Sequence, residues 1–291
     1  MDRCRQDLHL HIGGDDVEKI LKNAKKSGIK TLSLLDKESV ERTLEIEAVC
    51  KKYGLNCLRG VEVNAKYANK VYHFLIYKFR NIQKVRGFFK REAKAKYKRV
   101  IKVIALLQKL GWRIDLEKLL NISKTNLGRR LVVENVRNHQ DNQERLLKEN
   151  IFTNDDFYRR YLEPGKPAYC ARKVSSVYQL LKTMRAAGAL IVWAHPWRTI
   201  RENFGEENFQ DNFSGVFNYF RKIGIDGVEV YYPEVPKETI VFMYRRCRKN
   251  QLLVTIGSDS VGSELTKTPE VFKKMEPDDI SGANSLYRGV I

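Results

Sequence analysis

Apolar runs of strand length alternate with amphipathic helical segments in the first and last thirds of the chain. Near-continuous apolar runs such as 188–196 predict strands buried on both faces, which is typical of a parallel sheet flanked by helices. Glycine and proline mark helix ends, as at Gly28, Gly54 and Pro236. The pattern predicts strands at 7–11, 31–35, 57–63, 70–77, 188–196, 227–232 and 252–256, and helices at 16–27, 38–53, 174–187, 213–223 and 237–250.

The alternation stops between residues 78 and 167, where the sequence predicts only helices. We expect 78–167 to form a basic helical insert in an α/β barrel made of 1–77 and 168–262. Seven strands would close a barrel more readily than extend an open sheet, and the polar motifs end strands, where α/β barrels build active sites. Residues 263–291 are polar and are predicted to form a C-terminal tail.

Charge changes the interpretation of this insert. The 291 residues include 54 Lys and Arg against 35 Asp and Glu, a net charge of +19. Between 78 and 130 there are 17 basic and three acidic residues, so +14 of that charge is concentrated there. This concentration favours a polyanionic or phosphorylated partner over a merely solvated surface. Four aromatic residues lie nearby: Phe88, Phe89, Tyr97 and Trp112. They could stack on bases or belong to a core.

Cysteine content and hydropathy indicate the compartment. The five cysteines are odd in number and scattered, which suits a reducing environment. No apolar run approaches the ~20 residues of a membrane span, and the N-terminus lacks the apolar stretch of a signal peptide. We therefore expect a soluble, cytoplasmic protein.

The strand 7–11 carries the first candidate chemistry, in the sequence Asp-Leu-His-Leu-His. Side chains repeat with period two in a strand, so Asp7, His9 and His11 should share one face, opposite Leu8 and Leu10. Two imidazoles on one face form half of a metal site. The alternative is a pair of strand histidines that are hydrogen-bonded to neighbours.

Other potential ligands also lie in or at the ends of predicted strands. Four of the five histidines, His9, His11, His73 and His195, occupy such places. With Glu62 and Asp259 they form a set suited to Zn, Mn or Fe and too numerous for one tetrahedral ion. The sequence therefore predicts a site for two divalent ions, a standard device for phosphoester hydrolysis.

These motifs resemble, in order, those of the PHP (polymerase and histidinol phosphatase) family of metal-dependent phosphoesterases. The resemblance implies a distorted (β/α)7 barrel with an inserted helical subdomain. The basic insert and the strand 227–232 are similar to a branch of nucleotide phosphatases and 5'-3' exoribonucleases. The matching segments are DLHLH at 7–11, Asp16, LLDK at 34–37, GVEV at 60–63, VYHFLIY at 71–77, AHP at 194–196 and GSDSVG at 257–262.

The resemblance also implies a division of the ligands. One site would use His9, His11, Glu62 and Asp259, and a second would use Glu62, His73 and His195. The family's third site falls on Asp16, Lys37 and Val261, and two of these three cannot bind metal in the usual way. We therefore expect two ions, with Lys37 as a hypothetical replacement for the third charge. The alternative is a lysine that turns to solvent.

By this resemblance we expect the protein to hydrolyse phosphate esters of nucleotides or RNA 5' ends by a hydroxide held between the two metals. Lys37, Arg129 and Arg130 would hold substrate phosphates, and Asp7 would orient a histidine. Where the branch has Arg-Pro-His in the insert, this chain has Arg129-Arg130-Leu131. Two alternatives stay open: a degenerate nucleic-acid-binding protein that has lost its chemistry, and a phosphatase for a small metabolite.

Overall fold

The computed structural model describes residues 6–121, 127–171, 173–263 and 265, so nearly all of the predicted tail at 263–291 lies outside the described residues. The strands are β1 Gln6–His11, β2 Thr31–Lys37, β3 Asn56–Cys57, β4 Gly60–Tyr67, β5 Lys70–Tyr77, β6 Leu190–Trp193, β7 Gly227–Tyr231, β8 Leu253–Ile256 and β9 Ser260–Val261. The helices are α1 Val17–Lys26, α2 Thr43–Tyr53, α3 Ile82–Lys109, α4 Leu116–Leu120, α5 Arg129–Asn138, α6 Gln143–Lys148, α7 Asn154–Phe157, α8 Val177–Ala186, α9 Pro196–Phe204, α10 Phe209–Ile223 and α11 Lys237–Lys249.

The chain folds into two compact units. The first, called here the sheet unit, comprises Met1–Gly87 and Ser175–Ile291. The second, the helical unit, is Phe88–Val174. The nine strands belong to the sheet unit, and the long helix α3 begins in the sheet unit and continues into the helical unit.

The sheet is mixed and curled. Its strand order is β8-β7-β6-β5-β4-β2-β1-β9, with β3 paired to β2. The two end strands, β8 and β9, are separated along the chain only by residues 257–259, which brings the two ends of the sheet together. The predicted α/β class is confirmed.

One strand departs from the parallel sheet that the apolar runs predict. β5 is antiparallel to both β4 and β6. Ala68 and Asn69 connect β4 to β5, and both have positive φ angles of 47° and 62°. This backbone geometry is that of a two-residue hairpin turn, which needs no crossover helix. The expectation of a wholly parallel sheet is therefore wrong at β5.

The first strand is buried along its whole length, but its side chains do not alternate simply. Leu10 packs with Leu32 and Leu34 and with the apolar faces of α1 and α2. Leu8 instead packs with Leu35 in a separate cluster that includes residues of β5 and β6. The ladder between β1 and β2 shifts register between Asp7 and Leu10, and this irregularity explains the difference.

The helical unit has an apolar core of its own. Trp112, which is 2% exposed, packs there edge-on against Phe157 and Tyr161. Phe88 and Phe89 are also buried. Of the two alternatives for these aromatic residues, the core position is the one found for Phe88, Phe89 and Trp112, because their rings are not accessible.

Two further features differ from the sequence-based expectations. Cys50 and Cys57 form a disulfide with a Cα–Cα distance of 6.0 Å, whereas the odd number and the scatter of the cysteines led us to expect a reducing environment. Helix α9, Pro196–Phe204, lies between the predicted strand at 188–196 and the predicted helix at 213–223, where the sequence pattern predicts no helix. Among the described residues, no helix combines the length and the apolar character needed to cross a membrane.

Candidate metal centre

Side chains from five strands and strand ends converge at one edge of the sheet. β1 supplies His9 and His11, β4 supplies Glu62, and β5 supplies His73. His195 lies two residues after the end of β6, and Asp259 lies between β8 and β9. His73 is 31% exposed, and the other five are largely buried. The structure thus brings together the six residues that the sequence nominates as principal ligands.

The first group of donor atoms surrounds the two histidines of β1. The Nε2 atoms of His9 and His11 are 3.1 Å apart. Glu62 Oε2 lies 3.4 Å from His11 Nε2. Asp259 Oδ1 lies 3.1 Å from His11 Nε2 and 3.6 Å from His9 Nε2. Four side chains therefore direct nitrogen or carboxylate oxygen atoms toward one small volume.

The second group shares Glu62 with the first. Glu62 Oε1 lies 2.8 Å from His73 Nδ1 and 3.4 Å from His195 Nε2. Each of the two groups, His9 with His11 and Glu62, and Glu62 with His73 and His195, has donor atoms within 4.8 Å of one another. A carboxylate that belongs to both groups has the position of a bridging ligand.

Three of the rings are held from behind by their Nδ1 atoms. His9 Nδ1 lies 3.0 Å from Glu229 Oε1, and His11 Nδ1 lies 3.3 Å from the carbonyl oxygen of Leu35. His195 Nδ1 lies 3.2 Å from Thr199 Oγ1. Such partners fix the ring orientation and leave Nε2 as the inward-facing donor, as in metal sites whose histidines are oriented by outer groups.

Glu229 was not nominated as a site residue from the sequence. It is fully buried on β7, and besides contacting the His9 ring it accepts the backbone N–H of His195 at 2.8 Å. The sequence did contain a signal. A carboxylate between Val228 and Val230, in a strand expected to be apolar on both faces, is costly to bury unless partners compensate it.

Asp7 ties two segments of the site together through the backbone. Its Oδ1 accepts the N–H of His9 at 3.2 Å and that of Ser258 at 3.0 Å. These bonds connect β1 to the residues that follow β8. We expected Asp7 to orient a histidine ring. The carboxylate that contacts the His9 ring is that of Glu229.

Arg198 is a second residue that sequence reasoning missed, because α9 was not predicted. Its guanidinium Nη1 donates a hydrogen bond to Asp259 Oδ2. Its backbone N–H donates to the hydroxyl of Tyr232 at 2.9 Å. Asp259 thus presents one carboxylate oxygen to the histidines and the other to an arginine.

The backbone is strained at two of the candidate ligands. His195 has φ of 29° and Asp259 has φ of 51°, a region that non-glycine residues seldom adopt. Such conformations persist when the surrounding structure determines them, and they cluster at functional sites. Here the strained residues are the two that follow β6 and β8 and aim side chains inward.

The three positions that the resemblance assigns to a third metal site have different environments in the structure. Lys37 Nζ lies 3.4 Å from Glu62 Oε2, and its side chain is 62% exposed. Asp16 is exposed and caps α1 by accepting the N–H of Glu18 at 3.0 Å. Val261 is 61% exposed. A lysine ammonium is thus the group at these positions that contacts the candidate ligands.

The two arginines nominated for phosphate binding belong to the helical unit. The Arg129 guanidinium lies 5.5 Å from the centre of the Tyr158 ring. Arg130 is 81% exposed and pairs with Glu134 at 2.8 Å. Both begin helix α5.

Electrostatics reinforce the charged state of the carboxylates. Burial favours neutral Glu62, but hydrogen bonds with His195 and His73 outweigh it and hold the pKa of Glu62 well below its ordinary range. Burial likewise opposes charge on Asp259, while His11, His9 and Arg198 lower its pKa. Burial disfavours the imidazolium of His9, yet Glu229, Glu62 and Asp259 raise its pKa to about 9. A cation is therefore favoured between these acids.

The donor set fits divalent metal ions. Imidazole nitrogens and carboxylate oxygens are ligands for Zn, Mn and Fe. Ring orientation is already fixed by the Nδ1 partners, and carboxylate oxygens of Glu62 and Asp259 lie 3.4 and 3.1 Å from His11 Nε2. The described residues thus offer two adjacent donor groups with one shared carboxylate.

No protein-family model matches this chain. The 5'-3' exoribonuclease of Haemophilus influenzae is 21% identical over 266 residues, which are 88% of this chain and 89% of that protein.

Two solved structures have similar folds. A Bifidobacterium adolescentis protein provisionally named a metal-dependent phosphoesterase aligns with a TM-score of 0.65 and 19% identity, over 94% of this chain and 97% of its own. An amidohydrolase of Chromobacterium violaceum with bound sulfate and no metal aligns with a TM-score of 0.66 and 17% identity, over 95% of this chain and 99% of its own. At the level of the fold, the chain is therefore similar to metal-dependent phosphoesterases and related hydrolases, as the sequence motifs indicate.

Proposed function

We propose that this protein is a metal-dependent phosphoesterase that holds two divalent ions and hydrolyses phosphate esters of nucleotides or RNA 5' ends. The observation that carries the proposal is the pair of donor groups that share Glu62, with three histidine rings oriented from behind. The name of the Haemophilus influenzae relative supports an RNA substrate. We interpret the curled sheet as a distorted (β/α)7 barrel, which would place these groups at the mouth.

Each proposed ion would have its own ligands. His9, His11 and Asp259 would hold one, His73 and His195 the other, and Glu62 both. A pair of divalent ions, when bound, supplies a nucleophile at neutral pH and neutralises charge that develops on the phosphoryl oxygens. The chain itself keeps the carboxylates ionised and aims the Nε2 atoms of three histidines inward.

Lys37 supports phosphate binding beside this centre. Its ammonium group is close to Glu62 yet largely solvent-exposed, so it can contact a phosphate oxygen that approaches from outside. Lys37→Ala in metal-loaded protein should raise the KM for a phosphate ester and weaken inhibition by inorganic phosphate. Lys22→Ala, at a lysine that is 58% exposed on α1, is the matched control. Unchanged turnover and unchanged phosphate affinity in Lys37→Ala would remove this role.

The activity itself is tested by release of phosphate or mononucleotide from 5'-phosphorylated RNA and from nucleoside bisphosphates. We expect turnover with added Mn²⁺ or Zn²⁺, and its loss after chelation or in Glu62→Gln. If instead the metal-free protein binds RNA tightly, and none of these substrates is turned over even after metal is added, the protein is a degenerate nucleic-acid-binding protein. Turnover of a small phosphorylated metabolite alone would indicate a phosphatase for a small metabolite.

A further inference from the structure

We propose that helix α3 carries a binding surface for the phosphate backbone of single-stranded nucleic acid. The surface consists of Lys90, Lys94, Lys98 and Lys102, called here the lysine ladder. It lies in the helical unit and shares no residue with the metal centre, so the inference goes beyond the proposed function.

The ladder follows one face of a regular helix. Residues four apart on an α-helix rise by about 6 Å and turn by about 40° per step, so the four lysines form a gently winding row about 18 Å long. The side chains of all four are exposed. Arg91 and Lys109 are also exposed and fall within the same arc of about 120°.

The ladder's charges have no protein partner in the part of the chain that the structure describes. Elsewhere in the helical unit, exposed arginines do have one, as in the pairs of Arg130 with Glu134 and Arg159 with Asp156. Helix α3 contains ten basic residues and a single acid, Glu92. Like charges four residues apart destabilise an isolated helix, so this arrangement is unfavourable unless something anionic compensates it.

The spacing and the chemistry of the face favour an extended strand of phosphates. A step of about 6 Å is comparable with the separation of successive phosphates in an extended single strand. Ile101, which is 37% exposed, and Ala105 are the apolar residues on this face. A membrane-binding helix would instead bury a broad apolar face. The buried rings of Phe88, Phe89 and Trp112 cannot stack on bases, so binding should depend on phosphates and not on sequence.

The test measures binding of the full chain, without metal, to a 5'-hydroxyl oligouridylate of about 20 nucleotides. Each phosphate contact on a single strand contributes about −0.7 to the slope of log affinity against log salt. Replacing all four ladder lysines by glutamine should make the slope shallower by about 2.8, equivalent to about 50-fold in affinity between about 50 and 200 mM salt. Glutamine keeps a similar helix propensity, and circular dichroism verifies folding.

A charge-matched control is available in the same unit. Lys96→Gln, Lys118→Gln, Lys148→Gln and Lys166→Gln combined remove the same charge at exposed lysines outside the ladder. We expect this variant to keep most of the affinity and the slope. Equal losses in both variants would overturn the proposal, as would ladder-dependent binding to vesicles containing phosphatidylserine without binding to the oligonucleotide. Because no metal is present, failure here is distinguishable from failure of the proposed phosphoesterase activity.

Discussion

At the scale of single residues, the candidate metal centre depends on groups that contact the candidate ligands from outside. Glu229 is the main example, because it contacts the His9 ring and accepts the His195 backbone N–H. Removing its charge while keeping its shape should leave both histidines less well oriented and less basic.

We therefore expect Glu229→Gln to weaken metal affinity by about 10- to 100-fold while the protein stays folded. Competition with a chromophoric chelator measures this affinity. Glu149→Gln, which alters a largely buried carboxylate of the helical unit, is the control and should leave affinity unchanged. If Glu229→Gln binds metal as tightly as the unmodified chain, Glu229 has no orienting role.

The sequence identifies the inward-facing candidate ligands better than it identifies the residues that orient them. His9, His11, His73 and His195 could be found because histidines at strand ends form a recognisable pattern. Glu229 and Arg198 could not be assigned in the same way, since their roles depend on contacts between β7, α9 and residues far along the chain. Asp16 caps helix α1 instead of contacting the candidate ligands. Its position directly before the predicted helix also predicts this role.

At the scale of elements, the close approach of β1 to the segment after β8 shapes the site. A Cβ atom on Gly257 would collide with the Cβ of His9 and with Oε1 of Glu229. The chain can therefore bring these segments together only because residue 257 has no side chain.

Gly257→Ala should consequently destabilise the protein by about 1–3 kcal/mol through overpacking and should weaken metal binding. Gly215→Ala in α10 is the control, because no atom beyond its own helix backbone and chain neighbours lies within 4 Å of its added Cβ. That change should be neutral or stabilising by up to about 1 kcal/mol. Urea unfolding compares the two variants, and equal stability of both would contradict this account of the packing.

Most strands and helices were predictable from apolar periodicity, with bounds shifted by a few residues. The orientation of β5 was not, because Ala68 and Asn69 lack the glycine that usually marks a two-residue hairpin. The register shift in β1 is also invisible in sequence, since nothing in the run 7–11 marks the irregularity that sends Leu8 and Leu10 into different clusters.

At the scale of the whole molecule, the net charge and the buried acids have different consequences. The helical unit contains the lysine ladder, while the sheet unit contains the buried Glu62, Glu229 and Asp259. In the metal-free protein, the protonated His9 is a cation that stabilises these acids.

We therefore expect the stability of the metal-free protein to fall with rising pH. The pKa of His9 is raised from 6.5 to about 9 on folding, so its contribution is complete below about pH 6.5 and is lost as the pH rises through 9. The loss should be at most about 3 kcal/mol. Thermal unfolding of chelator-treated protein measures it, with His9→Asn as the control that removes this dependence. A flat or rising stability in the same range would contradict the charge assignment.

The central claim is that two ions share Glu62, and metal content per chain after dialysis, determined by elemental analysis, tests it most directly. We expect about two ions in the unmodified protein, about one in His73→Ala, and close to none in Glu62→Ala. Circular dichroism verifies that each variant is folded. One ion or none in the unmodified protein, or two ions retained in Glu62→Ala, would contradict the proposed centre.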